Sequence, residues 1–387
     1  MQRKGNVIMH GSQASHQVTV GVDMGGTLWA TAVRDWASGR QSYFGLRDGD
    51  SGNKKDKLYA KITELVNAGK KVQVYYEAGR YGFTPARIMQ GIGAQVTILP
   101  VNKLQVLVSG KKVKTDRCDA KFLAGIHPSD NPPSVHIPTL EEEGHRDGER
   151  ELTRLNKEIK RLNNQLLAII ERTPLPTPTG HRNSDNWRRQ ILDWNRTGRL
   201  TQLPKLMIQR LQLLVDELAF FEKHLQQWEK IMAAHLAKER AAAEKQNHHL
   251  IVDQLLQFKG IGTVISRHFA WEIGDWQRFP NGKKFAAYFG LTPCPYASGT
   301  MNHDQGISKA GRCSLRKTAV EMAWLWRRWQ PDSYLCQKYQ AKLEMKGRTR
   351  NTAIVAMARQ LLVALWQYVV NNKEIQGAVM TRPLPIK

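Results

Sequence analysis

The chain has 387 residues, and its 58 Lys and Arg outnumber 34 Asp and Glu, for a formal net charge of +24 at pH 7. An excess this large attracts polyanions, so nucleic acid is the expected partner and an anionic membrane surface is the weaker alternative. The hydrophobic content of 41% excludes a disordered basic tail and is sufficient for two or three packed domains.

The sequence does not indicate secretion or insertion into a membrane. No N-terminal stretch has the apolar run of a signal peptide. The longest nearly apolar segment, residues 354–370, contains Arg359 and is shorter than the ~20 residues that span a bilayer, which favours a buried helix. The four cysteines form no Cys-x-x-Cys pair and have no zinc-ligand spacing with histidine, so we expect no zinc site and a reduced, cytoplasmic protein.

The first region is predicted to be an α/β domain. Residues 1–16 are polar and are predicted to form a flexible arm. Alternating valines up to Asp23, a Met-Gly-Gly-Thr turn and a second apolar run predict two strands within residues 17–33. Further strands are predicted at 43–46, 71–76 and 95–99, and helices at 56–68 and 86–92. This order is typical of a ribonuclease-H-like mixed sheet with helices on its faces.

Four acidic residues occupy related positions in that predicted fold. Asp23 ends the first strand, Glu77 follows the strand at 71–76, and Asp116 and Asp119 occupy the first turn of a helix that Thr115 would cap. In a ribonuclease-H-like sheet the two strand ends meet and a helix crosses beside them, so the four carboxylates are expected to converge. Basic residues surround the last pair and are predicted to hold phosphates: Lys111, Lys112, Lys114 and Arg117.

Such a carboxylate cluster predicts a magnesium or manganese site. Hard oxygen ligands suit both ions, and two ions about 3.5–4 Å apart can stabilise the attacking and leaving oxygens of a phosphodiester displacement. A structural interpretation is also open, because a strand-end Asp often caps a turn and Asp side chains favour helix N-termini. The turn that begins at Asp23 also resembles the first phosphate loop of actin-like sugar kinases, but the two other loops that this class requires are not found in the sequence.

The middle of the chain is predicted to be helical. A proline-rich linker follows His127, and two long helices then carry apolar residues at alternating steps of three and four, from 152 to 169 and from 211 to 232. This spacing predicts a coiled coil or a helical hairpin. An intramolecular antiparallel pair and an arm for oligomerisation both remain open. Three closely spaced prolines, 174, 176 and 178, break the helical pattern between the two.

The last region begins near residue 249 and is predicted to be mainly helical. Lys259-Gly260-Ile261-Gly262 lies between two predicted helices, which is typical either of a helix-hairpin-helix turn that binds phosphate through backbone N–H groups or of a plain helical hairpin. A loop-rich stretch is predicted up to Ser298, followed by helices at 312–329 and 349–371.

Basic residues are concentrated after Ser298. Residues 301–360 contain twelve Lys and Arg against four Asp and Glu, and they can bind the phosphates of a nucleic acid. A single loop serine is not a specific signal, since most such side chains bond to their own backbone. The basic residues predicted to contact nucleic acid in this region, apart from Lys259, are Lys309, Arg312, Arg316 and Lys317.

Together these segments resemble the DEDD-type transposases of the insertion-sequence-110 family, which are bridge-RNA-guided recombinases. The resemblance extends from about residue 17 to 372. In the first region it rests on Gly21-Val22-Asp23, Glu77-Ala78-Gly79 and the stretch from Lys114 to Ala120. In the last region it rests on residues 260–262, 272–275, 278–279, 285–293, 298–299 and 308–311.

The resemblance implies a specific mechanism and organisation. In that family the acidic tetrad of a RuvC-like domain binds Mg²⁺, which places Asp23, Glu77, Asp116 and Asp119 in that role here. It also implies that Ser298 attacks the phosphodiester and forms a phosphoserine link. The implied partners are donor and target DNA, a structured guide RNA, and other copies of the chain in a dimer or tetramer.

The expected domains are the flexible arm at 1–16, a RuvC-like catalytic domain at 17–128, a linker and coiled-coil region at 129–248, and a C-terminal transposase domain at 249–387. Two other functions stay open. One is a hydrolytic, metal-dependent RuvC-like nuclease in which Ser298 is structural. The other is a basic nucleic-acid-binding protein that has kept the fold without catalysis.

Overall fold

The computed structural model describes residues 16–50, 52–100, 115–180, 185–246, 249–298 and 301–381. The chain divides into two compact units, Met1–Thr139 and Leu140–Lys387. The predicted arm lies outside the described residues except for His16. The helical middle and the C-terminal region belong to the same unit, and the finer division into four parts stays a prediction.

The first unit is built around a five-stranded mixed sheet. Its strands are β1 (Gln17–Met24), β2 (Leu28–Asp35), β3 (Gln41–Arg47), β4 (Lys71–Glu77) and β5 (Gln95–Leu99). They lie in the order β3-β2-β1-β4-β5. Neighbours β1–β2 and β2–β3 are antiparallel, whereas β1–β4 and β4–β5 are parallel. All five strands predicted from the sequence are therefore confirmed.

Helices cover both faces of this sheet. Helices α1 (Lys54–Asn67) and α2 (Thr84–Ile92) bury Leu58, Ile62 and Met89 against the valines of β1 and β4. Helix α3 (Asp116–Ala124) packs on β1 and β2. Its partners there are small: Ala120 and Ala124 of the helix meet Ala30 and Ala32 of β2.

The approach of α3 to the sheet depends on Gly21 of β1. A Cβ atom at this position would lie 2.3 Å from the carbonyl oxygen of Ala120 and 2.3 Å from the backbone nitrogen of Ala124. Two backbones can come this close only where one residue has no side chain. The glycine and the alanines thus set the distance between α3 and the strand that carries Asp23.

The second unit is mainly helical. Its helices are α4 (Leu140–Ile170), α5 (Asp185–Arg196), α6 (Lys205–Lys245), α7 (Ile251–Leu256), α8 (Thr263–Ile273), α9 (Gly282–Tyr288), α10 (Cys313–Trp329), α11 (Tyr334–Glu344) and α12 (Arg348–Asn371). A two-stranded antiparallel hairpin, β6 (Pro293–Ser298) and β7 (Met301–Ile307), lies between α9 and α10.

Helices α4 and α6 form an antiparallel pair within one chain. Leu162 and Leu166 of α4 pack in one cluster with Leu211 near the start of α6, whereas Leu152 packs in another with Met232 near its end. The intramolecular pairing was one of the two arrangements left open by the sequence. Helix α5, which the sequence analysis missed, joins the first cluster.

Four further elements of this unit differ from the prediction, namely α9, β6, β7 and α11. The stretch before Ser298 was predicted to be a loop and is instead strand β6, so that prediction was wrong. Helix α9, strand β7 and helix α11 were also missed by the sequence analysis. The core is formed mainly by α8, α10 and α12, where Phe269, Trp326 and Leu361 are fully buried.

Helix α12 is the one described helix that is long and apolar enough to cross a membrane by length and composition. Leu361, Leu362 and Leu365 are nevertheless fully buried among α8, α10 and their neighbours. Burial in a protein core accounts for this composition, as the sequence analysis expected.

Candidate active site at the end of the first sheet

Asp23 and Glu77 lie side by side at the carboxyl ends of two paired strands. Val22 of β1 pairs with Tyr76 of β4 in parallel register, and the two acidic residues come next along each strand. Neighbouring strands are about 4.8 Å apart, and residues in register point to the same face of the sheet. The side chains of Asp23 and Glu77 therefore project from the same face of the sheet, next to each other.

The face on which they emerge follows from strand alternation. Val22 and Tyr76 are buried on the α1–α2 side, whereas Tyr75 packs with Leu123 of α3 on the other side. Since successive side chains alternate, Asp23 and Glu77 share the face of Tyr75. They thus point to the side of the sheet on which α3 lies.

Helix α3 brings its first turn to the same end of β1. Thr115 has extended backbone dihedral angles, and its hydroxyl accepts a hydrogen bond from the Cys118 nitrogen at 3.2 Å, which confirms it as the N-cap. A Cβ at Gly25 would lie 4.0 Å from Oδ2 of Asp116, so that carboxylate is next to the turn that follows Asp23. Asp119 is in the same helical turn and is half-buried.

Arg80 and Tyr81, which the sequence analysis did not select, complete this end of the sheet. The Tyr81 hydroxyl donates to the Gly25 carbonyl at 2.8 Å and accepts from Nη2 of Arg80 at 3.1 Å. The Glu77 loop is thereby tied to the β1–β2 turn. A cleft of about 110 Å³ is lined by Asp23, Met24, Tyr76, Glu77, Ala78, Gly79, Tyr81 and Gly82.

Within the described part of the chain, the four predicted carboxylates do not form a group whose ligand atoms lie close enough together to hold a metal ion. Among the described residues, the group of His, Cys, Asp and Glu side chains whose ligand atoms all lie within 4.8 Å of one another is in the second unit. Like charges that share a site repel unless a cation compensates them. Three of the four residues are nevertheless located at one end of the sheet, Asp23 and Glu77 in one cleft and Asp116 beside the Gly25 turn.

Ser298 belongs to the second unit, where it is the last residue of β6 and pairs with Met301 of β7. Its side chain is outside the described part of the structure. Lys111, Lys112 and Lys114 also lie outside the described residues. Their predicted roles stay predictions.

Four other predicted phosphate contacts can be located. Arg117 of α3 is exposed, and its guanidinium lies 5.0 Å from the ring centroid of Tyr43. Gly260 has a φ of +95°, and a Cβ there would be 3.0 Å from Trp329, so the turn requires glycine for both reasons. Lys259 lies over the same indole at 5.5 Å, and Gly262 is the N-cap of α8.

The basic side chains that follow the β6–β7 hairpin differ in whether they are exposed to bind phosphate. Arg312 is paired with the buried carboxylate of Glu272, and Arg316 donates to the carbonyls of Phe289 and Ala310 at 3.4 and 3.3 Å. Both side chains therefore stabilise the second unit through these contacts. Lys309 is exposed, and Lys317 is 75% exposed with a weak contact of 3.6 Å to Glu321.

Similarity to known proteins defines the class. A family model for the IS116/IS110/IS902 transposases matches residues 252–338. A Sinorhizobium fredii protein named as a transposase is 33% identical over 325 residues, which is 80% of either chain. The transposase of the element IS1328 of Yersinia enterocolitica is 28% identical over 122 residues, 32% of this chain and 34% of its own. A pilin gene-inverting protein of Moraxella bovis is 30% identical over 120 residues, 31% of this chain and 37% of its own.

A basic protein with this α/β sheet, this helical unit and these relatives is a transposase, whose substrate is DNA. More specifically, the chain belongs to the IS116/IS110/IS902 family of insertion-sequence transposases. The resemblance noted in the sequence is confirmed at the level of the family.

Proposed function

We propose that this transposase cuts and rejoins DNA through a metal-bound acidic tetrad and a covalent link to Ser298, under the direction of a structured RNA. The observation that carries the proposal is the meeting of Asp23 and Glu77 at paired parallel strand ends with the first turn of α3. The strand order β3-β2-β1-β4-β5 supports a ribonuclease-H-like, RuvC-like domain.

The residues present fit Mg²⁺ or Mn²⁺. All four are carboxylates, which are hard oxygen ligands, and Asp23 and Glu77 line one cleft while Asp116 adjoins the Gly25 turn. When bound, the metal would neutralise charge that develops on the phosphodiester. Asp23, Glu77, Asp116 and Asp119 would hold it, and the packing of α3 on Gly21 would fix the position of the last two.

The proposed covalent step conserves the phosphoester bond. The Ser298 oxygen bonds to phosphorus as the bond to one DNA oxygen breaks, and the serine proton ends on the leaving hydroxyl. In rejoining, a DNA hydroxyl attacks the phosphoserine and the serine is released with its proton. No external energy source is required, because one ester replaces another.

The acidic residues and Ser298 belong to different compact units. In an oligomer, the tetrad of one subunit can act with the serine of another, which is why we propose a dimer or tetramer as the active form. Mixing Asp116→Asn subunits with Ser298→Ala subunits tests this idea. Restored cleavage in the mixture supports a composite site, whereas two inactive proteins that stay inactive when mixed contradict it.

The central experiment incubates the protein with Mg²⁺, its co-purifying RNA and the DNA that flanks its gene. The wild type should give a covalent protein–DNA adduct that survives denaturation. Ser298→Ala should abolish the adduct and retain DNA binding, and Ser314→Ala is the matched control. Full strand exchange by Ser298→Ala would refute the nucleophile, and free ends without an adduct would indicate a hydrolytic nuclease.

RNA guidance has its own test. RNA that co-purifies with the protein is sequenced and compared with the DNA on both sides of the gene. The proposal expects segments complementary to both donor and target DNA. Exchange that proceeds equally well after complete removal of RNA would contradict guidance without affecting the assignment of Ser298.

A further inference from the structure

The second unit contains a cluster of histidines and glutamates outside the proposed catalytic residues. Helix α4 presents Glu141 and His145, four residues apart, and the antiparallel helix α6 presents His235 and Glu239 at the same spacing. Residues four apart lie on the same face of a helix. One ligand atom from each of the four lies within 4.8 Å of all the others.

The two imidazoles point their Nε2 atoms at each other. The distance between Nε2 of His145 and Nε2 of His235 is 2.9 Å, and Oε1 of Glu239 lies 3.0 Å from the first and 4.0 Å from the second. Three potential ligand atoms thus converge from two helices. Their convergence requires that at least one nitrogen carries a proton or that a cation lies between them.

Trp271 of α8 orients this group. Its ring stacks on His145 with centroids 4.7 Å apart and an interplanar angle of 9°, and its Nε1 donates to Oε2 of Glu239 at 3.2 Å. The indole is itself buried. Because Oε2 is held by the indole, Oε1 is the oxygen left to face the imidazoles. Hydrogen bonds that orient a ligand in this way are typical around protein metal sites.

We infer that Glu141, His145, His235 and Glu239 form a binding site for Zn²⁺ or a similar divalent transition metal. Zinc takes four nitrogen, oxygen or sulfur ligands at about 2.0–2.2 Å for nitrogen and oxygen, in a tetrahedral arrangement. Two nitrogens bound in that geometry are about 3.3 Å apart, so the imidazoles need to separate by only a few tenths of an ångström.

The charge and the ligand types favour zinc over magnesium. Two carboxylates and two neutral imidazoles balance a dication, and imidazole suits Zn²⁺ whereas Mg²⁺ prefers oxygen. The bound ion would join the N-terminal end of α4 to the C-terminal half of α6, beside α8. Zinc therefore acts as a structural clamp in the second unit, separate from the Mg²⁺ proposed for the acidic tetrad.

The experiment measures zinc binding to the untagged full-length protein after treatment with a chelator, in excess Mg²⁺ to saturate oxygen-rich sites. We expect one Zn²⁺ per chain, a rise in the unfolding temperature on adding Zn²⁺, and a tetrahedral visible spectrum with Co²⁺. Ligand binding to the folded state raises stability by mass action. His145→Ala and His235→Ala should each lose the tight site and the rise in unfolding temperature.

His224→Ala is the matched control, because His224 is an exposed histidine on the same helix and outside the cluster. It should keep one Zn²⁺ per chain. His235→Asn provides a variant of similar volume and polarity if the alanine variant unfolds. Equal zinc content and equal thermal shift in the wild type and in folded His235→Asn would overturn the inference, as would no binding by the wild type. The four residues would then form a metal-free hydrogen-bonded cluster.

Discussion

A buried carboxylate of the second unit and two carboxylates of the first unit differ in whether they form ion pairs. In the second unit the buried Glu149 accepts from Arg267 at 2.7 Å and contacts His268 at 3.0 Å. In the first unit the side chains of Asp116 and Asp119 form no ion pair with any residue that the structure describes. The difference indicates that Glu149 stabilises the packing of the second unit, whereas Asp116 and Asp119 of the first unit are available to a ligand.

The largest effect on stability is expected for Glu149→Gln. The substitution leaves Arg267 buried without a counter-charge, and breaking a buried pair in this way costs about 3–5 kcal/mol. Urea unfolding measures the loss. Glu151→Gln is the control on the same helix, because its pair with Arg154 is half-exposed and such pairs contribute about 0.2–1 kcal/mol. Equal losses for both variants would contradict the comparison.

The loss of stability caused by Glu149→Gln should depend on pH. Burial alone would raise the pKa of Glu149, but hydrogen bonds from His268 and Arg267 outweigh it and hold the pKa below the ordinary value of 4.5. A lowered pKa in the folded state means that the stabilisation is fully present above pH 4.5 and is lost as the pH falls through the folded pKa. The stability difference between wild type and Glu149→Gln should therefore shrink on acidification below that pH.

The next largest effect is expected for Gly21→Ala. The new methyl group would push α3 from the sheet, and overpacking of this kind costs about 1–3 kcal/mol. DNA cleavage should fall with it, since Asp116 and Asp119 move with the helix. Gly49→Ala is the control, because a Cβ at Gly49 meets no atom within 4 Å. Unchanged cleavage and stability in Gly21→Ala would argue against the role of this contact.

A smaller effect is expected for Thr115→Ala. Loss of an N-cap hydroxyl costs about 1 kcal/mol and would loosen the first turn of α3. Thr115→Ser retains the acceptor for the Cys118 nitrogen and should behave like the wild type. Urea unfolding of the two variants measures the cap, because the Cys118 amide also donates to the Thr115 backbone carbonyl at 2.8 Å and stays bonded in both. Equal stability of the two variants would show that the cap is not needed.

The smallest effect on stability is expected for Asp119→Asn. Without metal the change should be below about 0.5 kcal/mol, since a favourable helix-end charge is lost while repulsion among the carboxylates is relieved. With Mg²⁺ only the wild type should gain stability, because a bound ion stabilises the folded state. Asp56→Asn, in the first turn of α1, is the control. The same gain in Asp119→Asn would exclude this carboxylate as a ligand.

Local patterns predicted the first unit well. The alternation of Val18, Val20 and Val22 predicted β1, and Thr115 before a charged turn predicted the start of α3; both are confirmed. These signals depend on neighbouring residues only. Parallel pairing of β1 with β4 also puts Asp23 beside Glu77, which the assumed topology anticipated.

The features that the sequence analysis missed depend on conflicting local sequence patterns or on contacts between residues that are far apart in the chain. Pro293 and Pro295 suggested a loop, but both are accommodated in β6, where the register shifts between them. The histidine and glutamate cluster escaped the sequence analysis because His145 and His235 are 90 positions apart. Only the antiparallel pairing of α4 with α6 brings them together.

The parallel pairing of β1 with β4 has a consequence for biosynthesis. Strand β1 is synthesised first, but its partner β4 and helix α3 follow more than 40 and 90 residues later. Long-range contacts form late because the intervening chain must first be ordered. A nascent chain that ends before Ala124 therefore cannot assemble the proposed acidic site, so translation products that stop before this residue should not cut DNA through it.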